Sequence, residues 1–421
     1  MSLSSRTRSA VFCRPISTSR RDDAAALVRL LRAPAVVAAV CAGFGLGCSD
    51  WFTGNHETPS GGGRTLWHVP SATADGAPAF DGTTAFFLNA SHMAVAVDGQ
   101  TGVVRWSTAT GTTGGTTYGF AGCTMAQAVV VCGDEDLVGF RPSDGERLWR
   151  YHASVGYSPG YFSPVTVGST IYAGSPSGTL YAIDAASGSP RWTVRPFPAD
   201  TVYISLFDPN ADSDVVVTGF TKFYVGAHGS TGGVVAVDAA SGQIRWITYF
   251  PQPDTTIGTN ARSTALWHDL VLAPSHAGDV IYALDRATGA ILWEVPSIDK
   301  RPPKCQGTPV RSDDGRVITV SGSTMYSASL SCWLIAYDLD SHAELWRVAL
   351  THGSASLARI IADGTRVFVG EGSGNLDAFS ASRPALLWST SGAPNPFHTY
   401  PALGIDRVFA SRFDGFYALS K

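Results

Sequence analysis

The sequence predicts an all-β fold, an eight-bladed β-propeller of four-stranded blades. Three observations predict it: a composition suited to short strands and tight turns, a recurring Asp–Gly–Trp frame, and a tryptophan period close to the length of one blade. The 421 residues include 45 Gly, whereas charged residues make up only 15% of the chain. Abundant glycine with few charges is typical of many short strands joined by turns.

The distribution of charge limits the classes of partner. The formal net charge is −4, but residues 1–47 hold seven Arg against two Asp, which leaves −9 on the rest of the chain. Nucleic-acid binding needs clustered Lys and Arg to neutralise phosphates. We therefore expect no nucleic-acid partner.

Residues 1–47 are predicted to be a secretion leader. An apolar run over residues 33–47 follows Arg29 and Arg32, and its 15 residues are too few to span a bilayer comfortably. The small residues before Cys48 resemble the lipobox of bacterial lipoproteins, which implies cleavage before this cysteine and lipidation of its thiol. An ordinary signal peptide and an uncleaved anchor helix stay open as alternatives, because a glycine stands where the lipobox usually has leucine.

The rest of the chain is predicted to have two parts. Residues 48–63 are polar and Gly-rich, which indicates a flexible tether. Residues 64–421 hold the repeats and are predicted to form the propeller. Because a lipid on Cys48 would anchor the propeller to a membrane, we expect the protein in the cell envelope, on the periplasmic side of the outer membrane or at the cell surface.

The repeated frame consists of alternating apolar residues, an Asp, a Gly four residues later and a Trp eight residues after the Asp. The complete copies are Asp98/Gly102/Trp106, Asp184/Gly188/Trp192, Asp238/Gly242/Trp246 and Asp285/Gly289/Trp293. The degenerate copies have Arg141 in place of the Asp before Trp149, His342 in place of the Gly between Asp338 and Trp346, and Ser380 eight residues before Trp388.

Each position of the frame has a physical reason. Apolar alternation makes a strand with one face packed against a neighbouring sheet. The Asp carboxylate can accept hydrogen bonds from the amides of the next turn, and the Gly supplies the positive φ that closes a short hairpin. The Trp ring can then fill the gap between adjacent sheets, with its N–H bonded to a backbone carbonyl of the neighbouring blade.

The tryptophans set the number of blades. Trp67 and the seven repeat tryptophans form a series with steps of 39 to 54 residues. Four short strands with their turns need about 40–45 residues, so eight tryptophans imply eight blades. The last copy, residues 415–420, ends before any Trp, so we expect Trp67 to lie on the outer strand of that final blade and to close the ring. A seven-bladed ring with one aberrant blade is the alternative.

The frame resembles the PQQ-like repeat of the quinoprotein dehydrogenase-like propellers, over a range from about Arg64 to Lys421. Size and the lipoprotein-like start look most like the BamB-type lipoproteins of the outer-membrane β-barrel assembly machinery. The resemblance implies a non-catalytic scaffold that binds a protein or peptide on one propeller face and reaches the membrane through its lipid anchor. We expect this scaffold to be a monomer.

Two alternatives stay open, a PQQ-dependent dehydrogenase-like enzyme and a carbohydrate- or ligand-sensing propeller. The resemblance implies that such dehydrogenases hold PQQ and calcium near the propeller axis, and that they typically carry a disulfide between adjacent cysteines. This chain has no Cys-Cys pair, and most of its blades are near minimal length. We therefore expect no catalytic residues and no cofactor, PQQ included.

Two acidic segments are candidates for special roles. Oxygen ligands at alternate positions, as at the start of a calcium loop, are provided by Asp208, Asn210, Asp212 and Asp214. Ser213 and Gly219 stand where calcium loops have Gly and Glu, so a polar hairpin loop is the alternative interpretation. The segment 134–136, which reads Asp-Glu-Asp, is predicted to be a solvated turn.

Four cysteines after Cys48 permit two disulfides in an exported chain. Cys123 and Cys132 would lie on one hairpin, and Cys305 and Cys332 in the blade that ends at Trp346. Buried free thiols are the alternative for both pairs.

Recognition is expected on the loops that follow the Trp strands. These loops span residues 107–120, 151–163, 195–206, 250–262 and 389–399. Aromatic or cationic residues near them suit recognition, although they could equally fill the tops of the blades. They are Tyr157, Tyr161, Phe250, Arg262, Arg359, Phe397 and His398.

Overall fold

The structure is a computed structural model in which part of the chain is described. The described residues are 62–70, 76–112, 122–152, 163–198, 202–224, 230–251, 263–275, 280–296, 317–328, 332–350, 360–370, 375–390, 401–412 and 415–421. The chain divides into two units, Met1–Thr58 and Pro59–Lys421, and every described residue belongs to the second. The predicted leader and residues 48–61 of the predicted tether therefore lie outside the described residues.

The described residues form eight antiparallel sheets, and the predicted eight-bladed propeller is confirmed. The first strand, β1 (Thr65–Pro70), is the outer strand of blade 8. From inner to outer strand, blade 1 is β2 (Ala79–Phe80), β3 (Thr84–Leu88), β4 (Met93–Asp98) and β5 (Val104–Ala109); blade 2 is β6 (Cys123–Ala126), β7 (Val129–Gly133), β8 (Leu137–Phe140) and β9 (Arg147–Tyr151); blade 3 is β10 (Val165–Val167), β11 (Thr170–Gly174), β12 (Leu180–Asp184) and β13 (Pro190–Val194). Within the described ranges, no helix is long and apolar enough to cross a membrane.

The remaining blades follow the same plan with one exception. Blade 4 has five strands, β14 (Val202–Leu206), β15 (Asn210–Ala211), β16 (Val215–Tyr224), β17 (Ser230–Asp238) and β18 (Ile244–Tyr249). Blade 5 is β19 (Ala265–Trp267), β20 (Leu270–Ser275), β21 (Val280–Asp285) and β22 (Ile291–Val295); blade 6 is β23 (Val317–Ser321), β24 (Thr324–Ala328), β25 (Trp333–Asp338) and β26 (Ala343–Ala349). Blade 7 is β27 (Ile361–Ala362), β28 (Arg366–Gly370), β29 (Leu376–Ser380) and β30 (Leu386–Ser389); blade 8 is β31 (Ala402–Leu403), β32 (Arg407–Arg412), β33 (Gly415–Ser420) and β1.

Blade 4 departs from the plan because its innermost segment is split. Strand β14 pairs with the far half of β16, with Leu206 opposite Phe220, and β15 pairs with the near half, with Asn210 opposite Val217. Strand β15 contacts β10 and β19, the inner strands of the two neighbouring blades. The break over residues 207–209 therefore lies at the innermost edge of the blade, which faces the central channel.

The core lies between the blades. The central strands β3 and β7 are buried along their whole length, because each is covered on both faces by a neighbouring sheet. Outer strands such as β5 keep the predicted alternation and bury mainly the Trp. In the described residues, each junction between adjacent blades holds one hydrophobic cluster, eight in all.

The ring closes between the two ends of the propeller sequence, as predicted. Strand β1 pairs with β33, with Trp67 opposite Ala418 and Val69 opposite Phe416. The Trp67 ring packs with Phe87 and Val95 of blade 1 in one cluster. The N–H of Gly63 donates to the carbonyl of Ser420 at 2.8 Å, as that of Gly102 does to Asp98 inside a continuous repeat.

Candidate functional site

The Asp and Gly of the repeat hold turns. The Oδ1 of Asp98 accepts hydrogen bonds from the N–H and the hydroxyl of Thr101, at 2.8 and 2.9 Å. Gly102 has a φ of +73°, and a Cβ added there would lie 2.6 Å from the Trp67 ring of the preceding blade. The glycine is therefore required both by its backbone angle and by the ring that covers it.

The next two complete copies of the frame repeat this arrangement. Gly188 and Gly242 have φ values of +70° and +72°, and the N–H of each donates at 2.8 Å to the carbonyl of the repeat Asp four residues earlier. A Cβ added at Gly188 would lie 2.5 Å from the Trp149 ring, and one at Gly242 would lie 2.7 Å from the Trp192 ring. The role predicted for these glycines, closing the hairpin, was therefore incomplete, because each also lies beneath the docking ring of the preceding blade.

The repeat tryptophans join adjacent blades through their N–H groups. Trp67 donates to the carbonyl of Gly99 at 3.1 Å, and Trp246 to that of Arg286 at 2.9 Å. The same bond is made by Trp106 to Pro142, Trp149 to Ala185, Trp192 to Ala239 and Trp346 to Ala381. These tryptophans dock the blades, so a binding site must be formed by other residues.

Two junctions show how the frame degenerates. His342 keeps the left-handed conformation of the glycine it replaces, with a φ of +55°, and its ring lies 4.4 Å from that of Trp293. Trp388 instead meets Gly62 and Gly63, two residues of the range predicted to be tether. Within the described part of the chain, the buried Nε1 of Trp388 has no hydrogen-bond partner.

Acid should weaken the repeat turns. The hydrogen bond from Arg191, with those from Ser187, lowers the pKa of Asp184 to about 2, from an ordinary value of 3.8. Because the folded pKa is depressed, this carboxylate stabilises the fold above pH 3.8, and the stabilisation is lost as the pH falls toward the folded pKa. Asp184→Asn keeps a turn acceptor but removes the charge, so we expect a lower Tm at neutral pH and a smaller fall in Tm between about pH 5 and pH 2. Scanning calorimetry across that range measures both, and an unchanged pH slope would contradict the assignment.

The cysteines fall into two groups. Cys123 and Cys132 face each other on β6 and β7 and form a disulfide, one of the two predicted pairs. Cys332 is buried and is also disulfide-bonded. Its predicted partner, Cys305, lies outside the described residues, and so does Cys48.

The calcium-loop candidates have protein partners in the structure. Asp212 and Asp214 lie in the turn that follows β15, where both pair with Arg286 and Asp214 also pairs with Arg245. Asp208 precedes β15 and lines the channel, and the amide of Asn210 donates to the carbonyl of Thr264 at 3.2 Å. No three acidic, His or Cys residues of the described chain are grouped so that they could hold a metal ion. The arrangement is that of a hairpin turn fixed by ion pairs.

The Asp-Glu-Asp segment is not the solvated turn that the sequence predicts. Asp134 and Asp136 are only 2% and 0% exposed. Asp134 accepts a hydrogen bond from Thr110 at 2.7 Å and pairs with His92 at 2.9 Å, whereas Asp136 pairs with Arg150 and His152. The prediction was wrong because residues far apart in the sequence supply the partners that let these carboxylates be buried. The cluster joins blades 1 and 2.

The candidate site is a cavity of about 290 Å³ at one mouth of the central channel. The residues that line it stand at or near the inner strands of blades 3 to 7. The lining is mostly polar where blades 4 and 5 contribute and mostly aliphatic where blades 6 and 7 contribute, and these two parts are called the polar wall and the aliphatic wall. The lining residues are Val165, Asp208, Pro209, Asn210, Ser263, Thr264, Ala265, Leu266, Ile318, Thr319, Val320, Ile360 and Ile361.

The polar wall comes from blades 4 and 5. Ser263 and Thr264 are 7% and 8% exposed, and among the described residues neither hydroxyl oxygen has a hydrogen-bond partner. Asp208, which is 4% exposed, lies in the break between β14 and β15 of blade 4. Asp208 and Pro209 of this break line the cavity.

The described lining offers no cationic partner for PQQ. This quinone carries three carboxylates, and its binding calls for cationic side chains or a metal ion nearby. The described residues around the cavity include a carboxylate and no Lys, Arg or His. Arg262 and Arg359, which the sequence marks as recognition candidates, lie outside the described residues.

Most of the other predicted recognition residues also lie outside the described residues, namely Tyr157, Tyr161, Phe397 and His398. Phe250 is described, and it is a packing residue. It is 4% exposed, and its ring lies 4.7 Å from that of Tyr282. Filling the blade is therefore its role in the structure.

A ring of eight Trp-docked blades built on the Asp–Gly–Trp frame defines the class of PQQ-like β-propellers. Within it, the chain belongs to the family whose sequence model is described as outer membrane protein assembly factor BamB, which matches residues 57–249, 133–333 and 331–420.

The individual relatives include BamB proteins and a dehydrogenase. BamB of Yersinia pestis is 25% identical over 291 residues, which are 64% of this chain and 68% of the relative. The crystal structure of BamB from Moraxella catarrhalis superposes with a TM-score of 0.63 at 15% identity, over 85% of this chain and 98% of that one. Quinohemoprotein alcohol dehydrogenase ADH IIB of Pseudomonas putida is 33% identical over 131 residues, 30% of this chain but only 18% of the enzyme.

Proposed function

We propose that this protein is a non-catalytic binding scaffold of the cell envelope that takes part in outer-membrane protein assembly. The observation that carries the proposal is the BamB family match, which runs from residue 57 to residue 420 and thus across the whole propeller. The dehydrogenase relative, by contrast, aligns with only 30% of the chain.

The chemistry of the described residues supports a binding role. The repeat carboxylates are used by turn amides and arginines, as Asp184 is by Ser187 and Arg191. Of the buried carboxylates of blade 2, Asp134 pairs with His92 of blade 1, and Asp136 pairs with Arg150 of its own blade. Polar side chains of Asp208, Asn210, Ser263 and Thr264 line the channel-mouth cavity, which suits a bound group better than a reaction centre.

The lipobox-like sequence adds a location to the proposal. A lipid on Cys48 anchors the chain to the outer membrane, and the residues after Cys48 lead directly to Gly63 and β1 at the rim of blade 8. The partner class is a protein or peptide bound on one propeller face, with the scaffold acting as a monomer. No cofactor enters this role.

Co-purification from the native outer membrane tests the proposal. We expect the tagged full chain to bring down barrel-assembly proteins at a constant ratio, and Cys48→Ala to leave the membrane fraction while its Tm stays unchanged. A tagged unrelated lipoprotein of the same membrane serves as control. If no assembly protein co-purifies and the protein, loaded with PQQ and calcium, oxidises an added alcohol while reducing a dye, the scaffold proposal is wrong and the enzyme alternative is supported.

A further inference from the structure

We propose that the channel-mouth cavity binds one branched aliphatic residue of a polypeptide, together with the backbone N–H of that residue. This inference rests on the proposed scaffold function, because that function is the reason to expect a polypeptide ligand. It names a site for the partner and the chemistry that the site recognises.

The polar wall calls for a hydrogen-bond donor. The Oγ atoms of Ser263 and Thr264 are buried without a hydrogen-bond partner among the described residues, and such groups are costly to leave unpaired. Asn210 already donates its amide N–H to the Thr264 carbonyl, which leaves its side-chain oxygen as an acceptor. With the Asp208 carboxylate in the same wall, acceptors predominate, so a donor such as a peptide N–H complements them.

The aliphatic wall selects the rest of the ligand. Leu266, Ile318, Val320, Ile360 and Ile361 are contributed by three blades, and the described lining includes no aromatic ring. Aliphatic walls suit a branched alkyl group, whereas sugar binding usually relies on aromatic platforms. The volume of about 290 Å³ lies at the lower end of ligand pockets, which fits one residue better than a drug-sized molecule.

Charge favours a peptide over a free amino acid. A free amino acid brings a carboxylate, and the described lining offers a carboxylate and no cation to receive it. A residue within a polypeptide is neutral at both ends and loses less on leaving water. We therefore expect the ligand, a branched alkyl group next to an N–H, to be one residue of a polypeptide and not a free amino acid.

Methyl NMR of the purified full chain tests the site directly. With isoleucine methyl labels, we expect N-acetyl-leucine methylamide to shift the signals of Ile318, Ile360 and Ile361 in a saturable way. Ile405, which is 85% exposed in a turn of blade 8, should remain unshifted. N-acetyl-glycine methylamide lacks the alkyl group and tests whether the aliphatic wall contributes to binding. Leucinamide carries a free ammonium and tests whether the ligand is a free amine instead of a residue within a polypeptide.

A hydroxyl-free variant tests the polar wall without harming the fold. In Ser263→Ala/Thr264→Val the lost hydroxyls have no protein partner among the described residues, so we expect an unchanged or higher Tm and an affinity for the leucine probe lower by about fivefold. Thr221→Val is the matched control, because its buried hydroxyl also lacks a described partner but lies outside the cavity lining. The control should bind the probe as the wild type does.

Each other result overturns the inference in a distinct way. Equal binding of the glycine probe removes the aliphatic selectivity, and tighter binding of leucinamide makes the ligand a free amine. No binding of any probe means that the cavity holds only water. All these outcomes are independent of whether assembly proteins co-purify, so failure of the site and failure of the scaffold proposal can be told apart.

Discussion

Replacing Trp246 with alanine is expected to lower the free energy of unfolding by about 3–5 kcal/mol, because it removes a large buried side chain from the junction of blades 4 and 5. Trp246 is 8% exposed and packs with Phe250 and Tyr282. Its N–H bond to Arg286 is lost as well, and the carbonyl of Arg286 is left without this donor. Urea denaturation followed by circular dichroism measures the change.

Two matched variants separate the contributions of the ring and its N–H. Trp246→Phe keeps most of the ring but removes the N–H, so we expect a loss of about 1–2 kcal/mol. Trp293→Ala acts at the junction where His342 replaces the glycine, and because Trp293 is only partly buried the loss should be smaller than for Trp246→Ala. An equal loss at both junctions would mean that the complete frame adds nothing to docking.

The glycine beneath the ring can be tested in the same background. A Cβ at Gly289 would lie 2.5 Å from the Trp246 ring, and the residue has a φ of +74°. Gly289→Ala should therefore be more harmful in the wild type than in Trp246→Ala, where the contact with the ring is gone. The cost of the backbone angle, about 1–2 kcal/mol, and the 2.7 Å approach to the Thr248 hydroxyl oxygen remain there. Additive losses would contradict direct contact between ring and glycine.

The fold could be predicted because the repeat encodes it locally. Within one frame, Asp98 and Gly102 fix the turn between two strands and Trp106 docks the neighbouring blade. Each blade therefore has one tryptophan, and eight tryptophans predict eight blades. The contact between each repeat glycine and the ring of the preceding blade could not be predicted, because that ring lies about 40 residues earlier in the chain. The sequence also contained an overlooked signal: Gly63 precedes Trp67 by four residues, the spacing of Gly102 and Trp106.

The candidate site could not be predicted in the same way. Ser263 and Thr264 follow no motif, and they meet Ile318 and Ile360 only because several inner strands converge on one axis. The acidic segment 208–214 looked like a calcium loop because alternate oxygens are visible in sequence, whereas its pairing with Arg286 is not. The segment 134–136 was misjudged for the same reason, since its partners come from other strands and loops.

Deleting residues 62–70 is expected to abolish the monomeric fold. The deletion removes β1 with Trp67, opens the junction between blades 8 and 1, and uncovers the edge of β33. The loss should exceed that of a single Trp→Ala change, about 3–5 kcal/mol, and is comparable with the total stability of many proteins. Exposed β edges pair with other chains, so light scattering should show oligomers or aggregates. A chain that begins at Gly61 is the control, and it should remain monomeric with an unchanged Tm.

Moving the deleted segment to the other end of the chain should restore the ring. Lys421 and Gly62 are neighbours in space, since a Cβ on Gly62 would lie 2.7 Å from the Lys421 carbonyl oxygen. Appending residues 61–70 directly after Lys421 places Gly63 four residues after Ser420 and Trp67 four residues later, which is the spacing of the complete Asp–Gly–Trp frame. The hydrogen bond from Gly63 to Ser420 would then lie within one continuous repeat, so we expect a monomer with a Tm close to that of the control. If the appended chain still aggregates while the control does not, β1 does not close the ring when it follows β33 in the chain, and the frame spacing is not sufficient for closure.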